Sequence, residues 1–361
     1  MLNFVQEIEL MKIYFYHTQD VSTMRRRMEQ GEFPTHFFYG ATHLPDNGID
    51  ILWHDSRMGL PRWRMMLRNA WRILTRVDRI DAVYATHYRG LELIVLLRAL
   101  GLFPRPVVIW HHQPVVRSRS RLREFFGRFF YRGFDRMIFF SRKLIDDSLH
   151  SPKMRPERAV LGHWGADLDF YDRIRRSSSA PREGFVSTGK ELRDMPTLVS
   201  AFNSTGLPLD IYIGRNTGGV NYENVFGEYP PADNIRVHYI NGLCPDALAR
   251  KVDAAACVVI CCKETRYTVG LTTVVEALAL GLPVICSRNP QIPVDFDREG
   301  CGITVPYYDR EGWKQAISYI ASHPDEAREM GERGRRLAER MFNDVQCARE
   351  VAEVLRSVVR G

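Results

Sequence analysis

The sequence predicts an α/β protein made of two halves, each a mostly parallel sheet with helices, that face one another across a cleft. Three observations carry this. Short apolar runs alternate with helical stretches of about ten residues from Met11 onward, the pattern of βαβ units. One polar, serine-rich break around Pro181 interrupts the alternation, which then restarts. Charge divides the same way: residues 1–160 hold 26 Lys and Arg against 16 Asp and Glu, whereas the remainder holds 24 against 27. A chain of 361 residues has room for two ordinary domains.

In the first half Lys12–Tyr16, Ile49–Trp53, Ala82–Ala85, Val107–Trp110 and Arg136–Phe140 are apolar and β-branched or aromatic enough to be strands. Trp63–Arg76, Gly90–Leu100 and Arg119–Arg132 repeat apolar residues at helical spacing. The break gives a linker over 176–183. Strands then resume at Gly184–Ser187, Leu209–Ile213, Ile235–Tyr239, Ala256–Cys262, Pro283–Cys286 and Gly302–Val305. From Arg310 the pattern is helical only, with a charged face of Arg and Glu. The expected layout is a first domain over 1–175, a second over 184–343, and a terminal helix over 344–361.

Several classes are excluded. The apolar stretches Leu91–Leu102 and Ala254–Cys262 fall short of the roughly 20 residues that a membrane span needs. Met1–Leu10 carries Glu7 and Glu9 with no basic region before an apolar one, so no secretory signal is expected. Seven scattered cysteines with no paired spacing read as reduced core residues of a cytoplasmic protein. The cation excess of the first half predicts an acidic partner for it: lipid headgroups, nucleic acid or a phosphorylated substrate.

Two segments carry the chemistry. In YTVGLTTVVEALALGLPVICS (Tyr267–Ser287) a strand leads through a loop into a helix opened by Gly270, Leu271, Thr272 and Thr273. Thr272 or Thr273 is a natural N-cap, and a glycine before a helix start lets backbone N–H groups approach an anion. Glu276 lies four residues beyond Thr272, on the same face, where a carboxylate suits ribose hydroxyls beside a diphosphate. In FVSTGKELRDMPTLVSAF (Phe185–Phe202) Lys190 and Arg193 follow a strand ending at Gly189, and two cations there can neutralise a departing diphosphate.

In this order and spacing the segments resemble the group 1 retaining glycosyltransferases, a family of GT-B fold: two Rossmann-like domains facing across a cleft, with a C-terminal helix packing back on the first. Further pieces agree. GHWGADLDFY (Gly162–Tyr171) looks like the segment before the family's interdomain linker, and GCGITVPYYD (Gly300–Asp309) like its late Gly-Leu-Leu-Val-Pro-x-x-Asp. FFYGATHLPDNGIDI looks like the usual first helix and second strand. The resemblance implies that Lys190, Arg193 and Gly270–Thr273 hold the donor diphosphate, Glu276 the ribose, and Asn241, Gly242 and Leu243 the nucleobase. The family's first of two glutamates is missing: Thr268 stands in its place, and Glu264 is the nearest substitute for contact with the sugar.

The family often has a histidine at the strand end in VVIWHH, facing the donor sugar; His112 fits best and His111 next. Two Asp-x-Asp triplets, Asp167-Leu168-Asp169 and Asp295-Phe296-Asp297, are the number that chance allows among 43 acidic residues, and no metal is expected. Arginines interleave with large apolar residues over 61–79 and 117–136. In the second stretch Arg117, Arg119, Arg121, Arg123, Phe125 and Phe126 form a candidate face for an anionic membrane or the acceptor. No nucleic-acid-binding module is recognisable.

The reading is a hexosyltransferase using a nucleoside diphosphate sugar, UDP-linked rather than GDP-linked, as co-substrate, with no other cofactor. Its acceptor is a lipid or lipid-linked glycan at the cytoplasmic membrane face. Epimerases and phosphorylases of the same fold, or a non-catalytic nucleotide-sugar-binding protein, are the alternatives.

Overall fold

The computed structural model describes residues 10–177, 181–240 and 245–359. Its first half holds strands β1 (Met11–Tyr16), β2 (Ile49–Trp53), β3 (Ala82–Ala85), β4 (Val107–His111), β5 (Arg136–Phe139) and β6 (Ala159–Leu161). They form one parallel sheet in the order β2-β1-β3-β4-β5-β6. The second half holds β7 (Phe185–Gly189), β8 (Leu209–Ile213), a small hairpin of β9 (Asn216–Thr217) and β10 (Val220–Asn221), then β11 (Ile235–Tyr239), β12 (Cys257–Ile260), β13 (Val284–Ser287) and β14 (Gly302–Val305). Apart from the hairpin these also make one parallel sheet, β11-β8-β7-β12-β13-β14.

Parallel strands buried on both faces need apolar residues at nearly every position, which is why the central strands β3, β4 and β12 are apolar runs, whereas the edge strands β2 and β11 carry Asp50, Arg236 and His238. In β12, Val258 and Ile260 join one buried cluster while Cys257 and Val259 join another on the opposite face. The first of these clusters is continuous from the first sheet, through the C-terminal helix, to the inner face of the second sheet. All six described cysteines are free and buried.

Strand order reverses between β1 and β3 in the first sheet and between β7 and β12 in the second. Ligands of open parallel sheets bind outside the carboxyl ends at such points. The two reversals put residues after β1, β3 and β4 on one wall of a cleft, and residues after β7 and β12 on the other.

The structure differs from the sequence reading in several places. The stretch FFYGATHLPDNG is three short 3₁₀ turns, and the first helix lies upstream at Val21–Glu29, started by an Asp20 N-cap. Helix Leu168–Ser177 runs into the stretch expected as linker, held by burial of Phe170, Tyr171 and Ile174. Beyond it Arg182 donates to the Asp253 carboxylate and to the Gly281 and Leu280 carbonyls. Helix Asp344–Val359 packs on the first half: the Gly40 backbone lies against Ala348, and Arg356 reaches the Asn47 carbonyl.

Candidate active site

A cavity of about 600 Å³ lies in the cleft, a size suited to a small-molecule ligand. Its second-half wall is built at the ends of β7 and β12. Arg193 is buried, 4% exposed, and its guanidinium donates to the Thr188 carbonyl at 3.0 Å, the Glu191 carbonyl at 3.2 Å and Thr273 Oγ1 at 3.4 Å. No carboxylate among the described residues pairs with it. A buried cation without an anion is costly unless a ligand supplies one. Gly189 makes this possible: its φ is +133°, and a Cβ there would collide with the guanidinium. Lys190 lines the same cavity, exposed and without an ion-pair partner among the described residues.

Helix Leu271–Leu280 opens beside these cations. Its N-cap is Gly270, at φ +94°, and no side chain caps it. The expectation of a threonine cap fails for a geometric reason. Thr272 and Thr273 already lie inside the helix, and Thr273 Oγ1 turns to Thr188 and Arg193. The helix start is thereby left with N–H donors free for an anion. One turn on, Glu276 lines the cavity, and burial raises its pKa to about 7 while the facing Tyr171 hydroxyl opposes the shift. Beyond it Leu248, Ala249, Val252 and Leu280 make an apolar end. Asn241, Gly242 and Leu243 lie outside the described residues; their neighbours Ile240 and Pro245 line this end.

The two candidate histidines part. His112 lines the cavity, its Nε2 donating to the Thr86 carbonyl at 2.9 Å, and burial lowers its pKa to about 4. His111, the last residue of β4, is turned away: its Nδ1 donates to the Gln113 carbonyl at 2.6 Å, its Nε2 lies 3.0 Å from Tyr131 Oη, and its ring packs on Phe139. Adjacent residues at a strand end point to opposite sides, so only one can face the cleft. Thr268 lines the cavity. Glu264 does not: it is exposed, with its N–H donating to Tyr308 Oη at 3.1 Å. Glu191 lines the wall instead, a residue that the sequence reading passed over along with His87 and Tyr171. Glu191 and His87 lie two residues past a strand end, which was the available signal; nothing local marks Tyr171.

Residues 202–356 match the family described as glycosyl transferase-like. Sucrose-phosphate synthase of Thermosynechococcus elongatus superposes with a TM-score of 0.72 at 17% identity, over 97% of this chain and 99% of that one. HepE of Anabaena, solved in complex with UDP, superposes with a TM-score of 0.65 at 13% identity, over 96% and 99%. The chain has the GT-B fold and a glycosyl transferase-like second half. Among curated proteins, the D-inositol 3-phosphate glycosyltransferase of Saccharomonospora viridis is 40% identical over 50 residues, which is 14% of this GT-B chain and 12% of that protein.

Both aspartate triplets of the GT-B chain are capping devices. Asp167 accepts from Phe170 N–H at 2.9 Å and Asp295 from Arg298 N–H at 3.1 Å, each starting a helix. Among the described residues no cluster fit to hold a metal ion occurs.

The arginine-rich stretches form helices Arg62–Leu74 and Arg121–Tyr131, with Glu92–Ala99 packed between them. Their aromatic residues divide between core and surface. Asn69, Ala70 and Ile73 face the core, whereas Trp63, Leu67, Trp71 and Leu74 form an exposed stripe, Trp71 being 70% exposed. Phe125 is 67% exposed, and Leu122 and Phe126 stand beside it. Arg117, Arg119, Arg121 and Arg123 are exposed, with no ion pair among the described residues. No described helix is long and apolar enough to cross a membrane.

Proposed function

We propose that this protein transfers a hexose-class sugar from a UDP-sugar to a lipid or lipid-linked glycan acceptor at an anionic membrane surface, with retention of anomeric configuration. The observation that carries the donor half is Arg193, a buried guanidinium without a counter-ion, converging with Lys190 and an uncapped helix start on one cavity. Two cations and oriented N–H groups are the complement of a diphosphate whose charge grows as it departs. Glu276 takes the ribose hydroxyls, the apolar end takes the base, and His112 faces the sugar. UDP is favoured because HepE, of the same fold, was solved with UDP and with UDP-glucose.

In the transfer the bond between the anomeric carbon and the phosphate oxygen breaks, and the acceptor oxygen bonds to that carbon on the same face. The acceptor proton passes to the departing phosphate oxygen. This route needs no paired-carboxylate dyad. The acceptor half rests on the exposed aromatic stripes and unpaired arginines of the first domain, a composition suited to anionic headgroups.

A thermal-shift measurement with UDP and GDP, without metal, tests the donor half. UDP at about a hundred times its dissociation constant is expected to stabilise the fold by about 2.7 kcal/mol. The shift is expected to vanish in Lys190→Ala and Glu276→Ala. A folded sample that responds to no nucleotide sinks the proposal.

A further inference from the structure

Two histidine rings meet on the first-domain wall of the cavity, and the backbone fixes the proton on each. His87 follows β3 and His112 follows β4; both line the cavity, with ring centroids 6.0 Å apart. Arg89 N–H donates to His87 Nδ1 at 2.9 Å, so that nitrogen offers a lone pair and the neutral ring carries its proton on Nε2. On His112 the order is reversed. Its Nε2 lies 2.9 Å from the Thr86 carbonyl, which only accepts, so Nε2 is protonated and Nδ1 is bare. Burial lowers the pKa of both rings and keeps them neutral at pH 7. The remaining nitrogen of each ring has no hydrogen-bond partner among the described residues.

A donor and an acceptor are therefore carried by neighbouring rings of one cavity wall, their centroids 6.0 Å apart. A phosphate or carbonyl oxygen only accepts and an ammonium only donates, so neither satisfies both rings. A hydroxyl does. His17 stands behind them, its Nδ1 accepting from Gln19 N–H at 2.9 Å, and burial lowers its pKa to about 4, so it adds no competing charge.

We propose that His87 and His112 hold one hydroxyl of the transferred sugar between them, His87 donating from Nε2 and His112 accepting at Nδ1, and that this pair selects donors carrying that hydroxyl. The proposal rests on the nucleotide-sugar reading above. The cavity is continuous from these rings to Lys190 and Arg193, so a sugar joined to a diphosphate held there extends toward the histidines. His87 acts as a specificity residue: it fixes which sugar fits and takes no proton in the transfer.

Calorimetric binding tests it, with UDP, UDP-glucose, UDP-galactose and the monodeoxy forms of whichever hexose binds more tightly. One monodeoxy form is expected to bind the unaltered protein about ten- to a hundredfold more weakly than its parent, the cost of leaving a fixed donor and acceptor unpaired. In His87→Ala that gap is expected to close while the affinity for UDP itself, which also reports correct folding, stays the same. His87→Gln, which keeps an N–H donor, is expected to restore part of the gap. The proposal is overturned if no monodeoxy form is penalised, or if His87→Ala keeps the penalty. Failure of UDP to bind the unaltered protein overturns the nucleotide-sugar reading, and this one with it.

Discussion

Glu276 shows what a buried carboxylate on a cavity wall costs the fold. Burial raises its carboxyl from the usual range to about 7. The sign follows from linkage: between about pH 4.5 and 7 the folded state holds a proton that the unfolded state has lost, so stability falls as pH rises through this window. A shift of this size corresponds to about 3 kcal/mol lost above pH 7. Glu276→Gln is therefore expected to match the parent near pH 4.5 and to exceed it by about 1–3 kcal/mol at pH 8, read by urea unfolding, while losing UDP affinity. An equal pH slope in both proteins refutes this account. Gly189 gives a second expectation at this scale. Gly189→Ala forces the guanidinium of Arg193 aside and is expected to weaken UDP binding at least tenfold, measured by calorimetry. The cations of the site were legible because Lys190 and Arg193 follow a strand end directly. The sequence also favours His112, the histidine that lines the cavity, but keeps His111 next to it, because β4 runs one residue beyond its apolar run, through His111, and one position of register decides which side chain faces the cleft.

Elements were legible where pattern and burial agree. The eleven described strands of four or more residues stand out by their apolar content, and their ends fall within two residues of expectation. What escaped was short or charged. β6 has three residues, all half-buried at the sheet edge. Helices Val21–Glu29 and Leu168–Ser177 are arginine-rich, and their burial depends on tertiary partners that composition does not show. Helices Arg62–Leu74 and Arg121–Tyr131 are legible from apolar residues at helical spacing, but which way their aromatics face depends on packing. Helix Glu92–Ala99 between them adds exposed Leu96, and Leu100 and Leu102 follow it, so the apolar surface is shared by three neighbouring elements. Replacing Trp71 and Phe125 together by Glu is expected to abolish sedimentation with phosphatidylglycerol vesicles while leaving UDP affinity unchanged, since neither side chain lines the cavity. For the parent, binding is expected to fall as salt rises from 0.05 to about 0.5 M through screening of the arginines. Vesicle binding that survives both changes removes the membrane face from the proposed function.

At the scale of the whole molecule the cleft depends on how the chain returns from the second half to the first. At this crossing the Gly165 backbone meets Phe342, where any Cβ would collide, and Ala166 bridges to Asn343. The helix that follows is tied down by a small, partly buried network. His43 Nε2 lies 3.2 Å from Asp344, whose carboxylate also accepts from Thr35 Oγ1, and His163 Nδ1 lies 2.8 Å from Glu350. The hydrogen bond to Asp344 raises His43 to about 9. Asp344 itself moves up under burial despite its partner, so the pair is worth less than the His43 shift alone implies. For a histidine whose folded pKa is raised, the stabilisation is complete below about pH 6.5 and is lost as pH climbs through about 9. His43→Gln is therefore expected to be about 1–2 kcal/mol less stable than the parent at pH 6, with the difference shrinking toward zero by pH 10, followed by urea unfolding. The same latch sets the relation of the two cavity walls, because Asp344 begins the helix that docks on the first sheet while Arg193 and Glu276 belong to the second. In the proposed arrangement a UDP-sugar spans both walls and UDP rests on the second alone, so loss of the latch is expected to weaken UDP-sugar binding more than UDP binding. Equal weakening of the two ligands places the effect of His43 in folding and leaves the cleft geometry independent of it.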